Sequence, residues 1–259
     1  PQQRIDKLLD NPIFSFLSEE HRRNLVRVIP GDVTQESAGI ETSVLSDLLQ
    51  DTSISHVIHC AATVAFTQSM EDAARANIAS ALHMQRLPGQ FASRTVKFVH
   101  VSTSFVHGRE AGTPTKPLDE NLFSLGNFDA SKIYKSMIGT QFYAATAMRE
   151  LEFPNTYTFS KSVCEHLLAQ SSVETVIVRP SIVGPALSSP REGWAGSKPT
   201  TLVAAACLYF MYQWNLWFFG DHLVPCIPVD VLSKFIIQRA FQSPSLETEN
   251  DNAAALEDD

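Results

Sequence analysis

The sequence predicts an α/β fold: a mostly parallel sheet with helices on both faces. Two observations predict it. Short β-branched apolar runs, the pattern of buried strands, recur along the chain. The segments between them carry helical periodicity over lengths that a parallel crossover requires and a hairpin does not. The chain has 259 residues, 44% hydrophobic and 19% charged, enough for one substantial core, which excludes disorder as the main state.

The elements follow in order. Arg4 to Leu9 has the spacing of a short helix, and Leu25 to Ile29 is an apolar run stopped by Pro30-Gly31, which reads as a strand. Ser43 to Leu49 reads as a helix and Val57 to Cys60 as a buried strand. Met70 to Leu87 is an Ala-rich helix, and Val96 to Val101 a β-branched strand. Leu118 to Phe128 has loop composition and Ser131 to Leu151 reads as one long helix. Pro154-Asn155 opens a further helix over Thr156 to Gln170, and Thr175 to Val178 is a strand closed by Pro180. Thr200 to Gly220 is the most apolar stretch and holds seven aromatics. Its two amides, Gln213 and Asn215, leave three readings open: a buried helix, a helix touching acyl chains or a membrane surface, or a membrane span. Residues 243–259 hold six acids and no aromatic, so they read as a disordered acidic tail behind a domain of residues 1–242.

Charge and cysteines narrow the classes. Net charge is −8, and with the tail's six acids set aside the body carries about −2, so no nucleic-acid surface is implied. Cys60, Cys164, Cys207 and Cys226 form no C-x-x-C pair, which signals neither a zinc site nor a disulfide framework and suits a reducing compartment. No metal site is expected. The chain begins at Pro1 without a basic-then-apolar leader, which reads as a fragment.

Chemistry is most concentrated at Tyr157 and Lys161, the only Tyr-x-x-x-Lys pair in the chain and four apart on one helix face. A cation beside a phenol favours the phenolate, so the pair suits proton transfer to a carbonyl oxygen. Ser102, Thr103 and Ser104 follow a strand directly, where open parallel sheets collect ligand-binding groups. Cys60-Ala61-Ala62 puts small residues at another strand end, and Gly31-Asp32 offers a carboxylate after the first apolar run.

The order of these motifs, Gly31-Asp32-Val33, His59-Cys60-Ala61-Ala62, Val101-Ser102-Thr103, Tyr157-x-x-x-Lys161 and Val178 to Pro185, resembles an extended short-chain dehydrogenase/reductase, a Rossmann-like doubly wound fold. More narrowly, RIDKLLDNPIFSFL, VIHCAATVAF, FVHVSTSFVHG, PNTYTFSKSVCEHLL and VIVRPSIVGPALSSPREGW are similar to the fatty acyl-CoA reductases with male-sterility-type domains. The resemblance implies an NADPH-dependent reduction of a long-chain acyl-CoA thioester, through the aldehyde, to a fatty alcohol. By it, Tyr157 is the general acid, Lys161 lowers its pKa and binds the nicotinamide ribose, and Thr103 bonds the substrate carbonyl. Asp32 and Val33 belong at the adenine, with Cys60, Ala61, Ala62 and Ser102 along the cofactor. Pro180, Ser181, Ile182 and Val183 belong beside the nicotinamide. Ser104, Phe105, Gly193 and Trp194 fall to the substrate, in a small helical portion around residues 185–227, and Pro228-Val229-Asp230 starts a later helix.

No glycine fingerprint follows a first strand, so the resemblance implies an N-terminally truncated domain that lacks its pyrophosphate cradle. It further implies an intracellular setting, on the cytosolic face of an organelle membrane (endoplasmic reticulum or peroxisome) or in the cytoplasm, with contact to a membrane surface and an oligomeric state left open. Two alternatives stand beside it: another extended reductase or epimerase served by the same residues, and a catalytically inactive protein that binds lipid or a partner.

Overall fold

A computed structural model describes residues 2–11, 14, 18–91, 95–108, 113, 116–196 and 225–242. Its centre is a parallel sheet of β1 (His56–His59), β2 (Lys97–Val101) and β3 (Thr175–Val178), in the order β1-β2-β3, with His59 opposite His100 and Val101 opposite Val178. Each strand is short and rich in β-branched residues; β2 is buried at its three central residues, whereas Ile58 of β1 is 40% exposed. The first crossover is one continuous helical run in three parts: α-helical Met70–Ala73, a π turn over Ala74–Ala79, and α-helical Ser80–Arg86. Ser69 caps it by accepting from Asp72 N at 3.0 Å. The second crossover passes through helices Ala130–Met137, Phe142–Glu150 and Thr156–Leu168. In chain order the α-helices are α1 (Gln2–Leu9), α2 (Glu19–Leu25), α3 (Thr42–Gln50), α4 (Met70–Ala73), α5 (Ser80–Arg86), α6 (Ala130–Met137), α7 (Phe142–Glu150), α8 (Thr156–Leu168) and α9 (Val229–Phe241).

β2 shows the two layers by alternation. Phe98 joins the main core with Ile78, Ile133, Met137, Phe159 and Leu168 from the crossover helices, while Val99 turns to the other face and packs with Val178, Leu232 and Ala240, the last two from α9. The alanines Ala73, Ala74 and Ala81 are fully buried, so the first crossover helix lies close against its neighbours. A second, two-stranded parallel sheet pairs β4 (Ile182–Gly184) with β5 (Cys226–Pro228), which leads straight into α9. Gly184 permits that approach, because a Cβ there would lie 2.5 Å from Cys226 Sγ.

Two expectations are corrected. The run Leu25 to Ile29 is not a strand: α2 ends at Leu25, and residues 26–30 continue in no ladder, with Leu25 69% exposed. An apolar run becomes a strand only where a neighbour completes its hydrogen bonds; here α2, capped by Ser18, takes its first residue. The single helix expected over Ser131 to Leu151 is two helices, α6 and α7. Gly139 and a left-handed Gln141 (φ 62°) separate them, and the Ser136 hydroxyl accepts from Ala144 N at 3.0 Å to seat the start of the second. The apolar stretch Thr200 to Gly220 and the tail 243–259 lie outside the described residues. Among the described residues no helix is long and apolar enough to cross a membrane.

Candidate functional site

The site is built on the carboxyl ends of β1, β2 and β3 and the amino half of α8. Asn155 caps α8 by accepting from Thr158 N at 2.9 Å, which fixes the helix start and sets Tyr157 and Lys161 on one face one turn apart. Lys161 is 2% exposed and its Nζ donates to the carbonyl of Val101, the last residue of β2, at 2.8 Å. Burial lowers the Lys161 pKa, and the neighbouring Cys164, Glu165 and Cys60 act in the opposite direction. Burial raises the pKa of Tyr157, while the Thr103 side chain acts to lower it. The phenol is thus held protonated, the state a general acid starts from.

Thr103 is brought there by the end of β2. Ser102 N donates to Val178 O at 2.7 Å and Ser104 N to Pro180 O at 2.9 Å, so the chain stays tied to β3 past the last strand residue. Thr103 then caps a 3₁₀ turn over Ser104–Val106, its hydroxyl accepting from Phe105 N at 3.3 Å. Ser102 is buried and its Oγ has no hydrogen-bond partner in the protein. A buried hydroxyl in that condition suits a polar ligand lying across the strand ends. Cys60, Ala61 and Ala62 are exposed at the end of β1. Partial burial pushes the Cys60 thiol up, and the Lys161 ammonium opposes it. Pro180 and Ser181 link β3 to β4, which contains Ile182 and Val183.

The remaining expected residues sit in two separate loops. Asp32 and Val33 occupy a turn in which Asp32 N donates to Ala38 O at 2.7 Å and the Asp32 carboxylate accepts from Thr34 N and Oγ1, at 2.9 and 2.7 Å. Those two Thr34 bonds hold the exposed Asp32 carboxyl below its usual range. Gly193, at φ +74°, and Trp194 close a loop on Ala186 through bonds of 2.9 and 2.8 Å. The loop is anchored at Asp230, on α9, whose carboxylate accepts from the amides of Leu187, Ser188 and Ser189 at 2.9–3.0 Å. Those backbone bonds hold Asp230 well below the usual carboxylate range. A cavity of about 730 Å³ meets the site at Ser104, Pro180 and Ser181 and extends to Leu232 and Phe235; Tyr157 and Thr103 do not line it. No group of three or more metal-ligating side chains occurs among the described residues.

Four features of the site were missed by reading the sequence. Asn77, buried in the π turn, accepts from Thr63 N at 2.9 Å and donates to Ser160 Oγ at 3.0 Å, tying the loop after β1 to α8. An amide amid alanines in an apolar helix is the signal that could have found it. His59 and His100 are opposite each other in register, stacked at 5.6 Å and buried. Burial, reinforced by the Lys161 charge, pushes His59 down to about 4 and His100 well below its ordinary value. Arg179 pairs with the buried Glu165 of α8 through Nε and Nη2, at 3.0 and 2.6 Å, and donates to the carbonyls of Glu120 and Asn121 at 2.9 and 3.2 Å. Finally, the ring of Phe66 lies 5.9 Å from that of Tyr157.

A family model described as Male sterility protein, an NAD-binding family, matches residues 1–236. The chain belongs to the male sterility protein family. Fatty acyl-CoA reductase 1 of Gallus gallus is 30% identical over 261 residues, covering 94% of this chain and 47% of that protein. The Homo sapiens protein of the same name is 27% identical over 258 residues, with the same coverage. This male sterility family chain therefore spans about half the length of the curated relatives it matches. Among solved structures, the terminal R domain of the myxalamid biosynthetic pathway superposes with a TM-score of 0.65 at 20% identity, over 95% of this chain and 54% of that one. The UDP-glucose 4-epimerase of Thermotoga maritima superposes with a TM-score of 0.53 at 15% identity, over 92% and 69%. These likenesses show the fold, an extended Rossmann-like α/β architecture, as expected from the motif order.

Proposed function

We propose that this chain is the reductase portion of a fatty acyl-CoA reductase, and that it reduces a long-chain acyl-CoA thioester with NADPH to the aldehyde and then to the alcohol. The observation that carries the reading is geometric: Tyr157 and Lys161 lie one turn apart on α8, and Lys161 is bonded to the last carbonyl of the strand that leads into Thr103. The family and the fatty acyl-CoA reductase relatives support the substrate class. The cofactor class, a nicotinamide dinucleotide, follows from the family; its phosphorylated form is our proposal. The unpartnered Ser102 hydroxyl and the small residues Ala61 and Ala62 fit such a group lying across the strand ends.

A bound nicotinamide dinucleotide supplies the hydride. Thr103 donates to the carbonyl oxygen and holds it toward the phenol, so the charge that develops there meets two donors already in place. In the first reduction the oxyanion re-forms the carbonyl as the carbon–sulfur bond breaks, and CoA leaves as a thiolate that takes a proton from water; in the second, Tyr157 gives its proton to the oxygen of the aldehyde being reduced. Lys161, fixed by Val101, keeps a positive charge beneath the site and favours the phenolate left behind. Asp32 and Val33 would lie toward the adenine, Pro180 to Val183 toward the nicotinamide, and Ser104, Phe105, Gly193 and Trp194 toward the acyl thioester. We place the protein on the cytosolic face of an organelle membrane or in the cytoplasm, where acyl-CoA is available. The test is to incubate the full-length protein with NADPH and hexadecanoyl-CoA, following loss of reduced-nicotinamide absorbance and identifying the lipid product. Hexadecanal or hexadecanol formed in step with NADPH consumption is expected; no consumption with acyl-CoA, or turnover of a nucleotide sugar instead, overturns the reading.

A further inference from the structure

Phe66 stands outside every role assigned so far. It lies on the loop that leaves β1 after Cys60-Ala61-Ala62, it is 60% exposed, and its ring is tilted 44° against the Tyr157 ring with centroids 5.9 Å apart. Val64, two residues earlier, is 66% exposed. The loop is held in place rather than trailing. Thr63 N donates to the buried Asn77, whose amide donates in turn to Ser160 of α8, the helix that carries Tyr157, and Ala65 N donates to Thr63 Oγ1 at 3.4 Å. An apolar ring kept in solvent at a fixed distance from the proton donor costs free energy until an apolar ligand covers it. Thr103, which acts on the phenol, leads into Phe105, 40% exposed. A substrate oxygen that reaches the Tyr157 phenol meets a ring whose exposed apolar neighbour, 5.9 Å away, is Phe66.

Resting on the reading above, we propose that Phe66 is a substrate-contacting residue that packs against the first carbons of the acyl chain and holds the thioester toward Tyr157. The dinucleotide and the CoA portion do not depend on it. Its exposed face is large enough that losing it costs about tenfold in affinity for an acyl group.

The experiment measures, in the full-length protein, dissociation constants for hexadecanoyl-CoA, free CoA and NADPH, together with turnover of hexadecanoyl-CoA, for wild type, Phe66→Ala, Phe66→Leu and Phe66→Asn. Because the side chain is largely exposed, the variants should melt as the wild type does. Phe66→Ala is expected to weaken hexadecanoyl-CoA binding about tenfold and leave free CoA and NADPH within about twofold, with Phe66→Leu restoring most of the loss and Phe66→Asn none. Unchanged hexadecanoyl-CoA binding in Phe66→Ala, an equal loss for free CoA or NADPH, or rescue by Asn overturns the proposal. A wild type that binds hexadecanoyl-CoA without reducing it would overturn the reductase reading instead, and the binding series would still decide the role of Phe66.

Discussion

Replacing Arg179 with Met tests how the site is held together. Arg179 is 16% exposed and Glu165 1%, and three nitrogen–oxygen contacts of 2.6–3.2 Å join them. The substitution leaves the Glu165 carboxylate buried on α8 without its cation, while the exposed carbonyls of Glu120 and Asn121 exchange the guanidinium for water. Removing one member of such a pair costs about 3–5 kcal/mol, because the remaining charge has lost its compensation. For a domain of this size each kcal/mol lowers the melting temperature by roughly 2–4 °C, so the variant should melt about 6–20 °C below wild type. Replacing both partners by Met removes the stranded charge and should recover at least half of that drop. The assay is thermal unfolding followed by far-ultraviolet circular dichroism on the four members of the double-mutant cycle. An Arg179→Met variant melting within about 2 °C of wild type would refute the argument, as would a double variant less stable than either single one.

Tyr157→Phe should lower turnover of acyl-CoA by at least about 10²-fold while the NADPH dissociation constant stays within about threefold, measured by steady-state kinetics and fluorescence titration; near wild-type turnover would remove Tyr157 from the role of acid. His59 is held near 4 against an ordinary value of 6.5, so the folded state resists its protonation. Its contribution is complete above pH 6.5 and is lost as pH falls toward 4, by up to about 3 kcal/mol; melting curves across that window should fall less steeply in His59→Leu, and parallel curves would contradict the assignment. Asn77→Ala removes the acceptor of Thr63 N, at a cost of about 1–3 kcal/mol. Hydrogen exchange at the Thr63 amide should then accelerate, and unchanged protection would show that Asn77 does not hold the loop.

What could be read from the sequence was local and periodic. The strands β1, β2 and β3 lie within a residue of the expected bounds, and Asn155 caps the helix it was expected to open. Tyr157 and Lys161 share a face because four residues nearly close a turn. What escaped depends on partners. Leu25 to Ile29 has strand composition, but no neighbour completes its ladder among the described residues. The break at Ile138 to Gln141 rests on a left-handed residue and on Ser136 reaching forward eight positions. His59 and His100 meet only once the register of β1 on β2 is known, and Arg179 finds Glu165 only when β3 lies against α8. The expected lowering of the Tyr157 pKa by Lys161 is not found: burial moves the phenol up, only the Thr103 side chain opposes it, and the Lys161 ammonium is directed at the Val101 carbonyl.

The bond from Lys161 to Val101 gives one side chain two employments. It closes off the final carbonyl of the central strand, a group that would otherwise be an unanswered acceptor at the bottom of the cleft. Truncating Lys161 is therefore expected to loosen the strand end from which Ser102 and Thr103 project as well as to remove a charge. Arginine does not repair this, since its planar fork cannot reproduce a single ammonium aimed at one oxygen in so confined a place. A Lys161 variant thus probes the strand end as much as the charge, and a Tyr157 variant is the sharper instrument for separating the two.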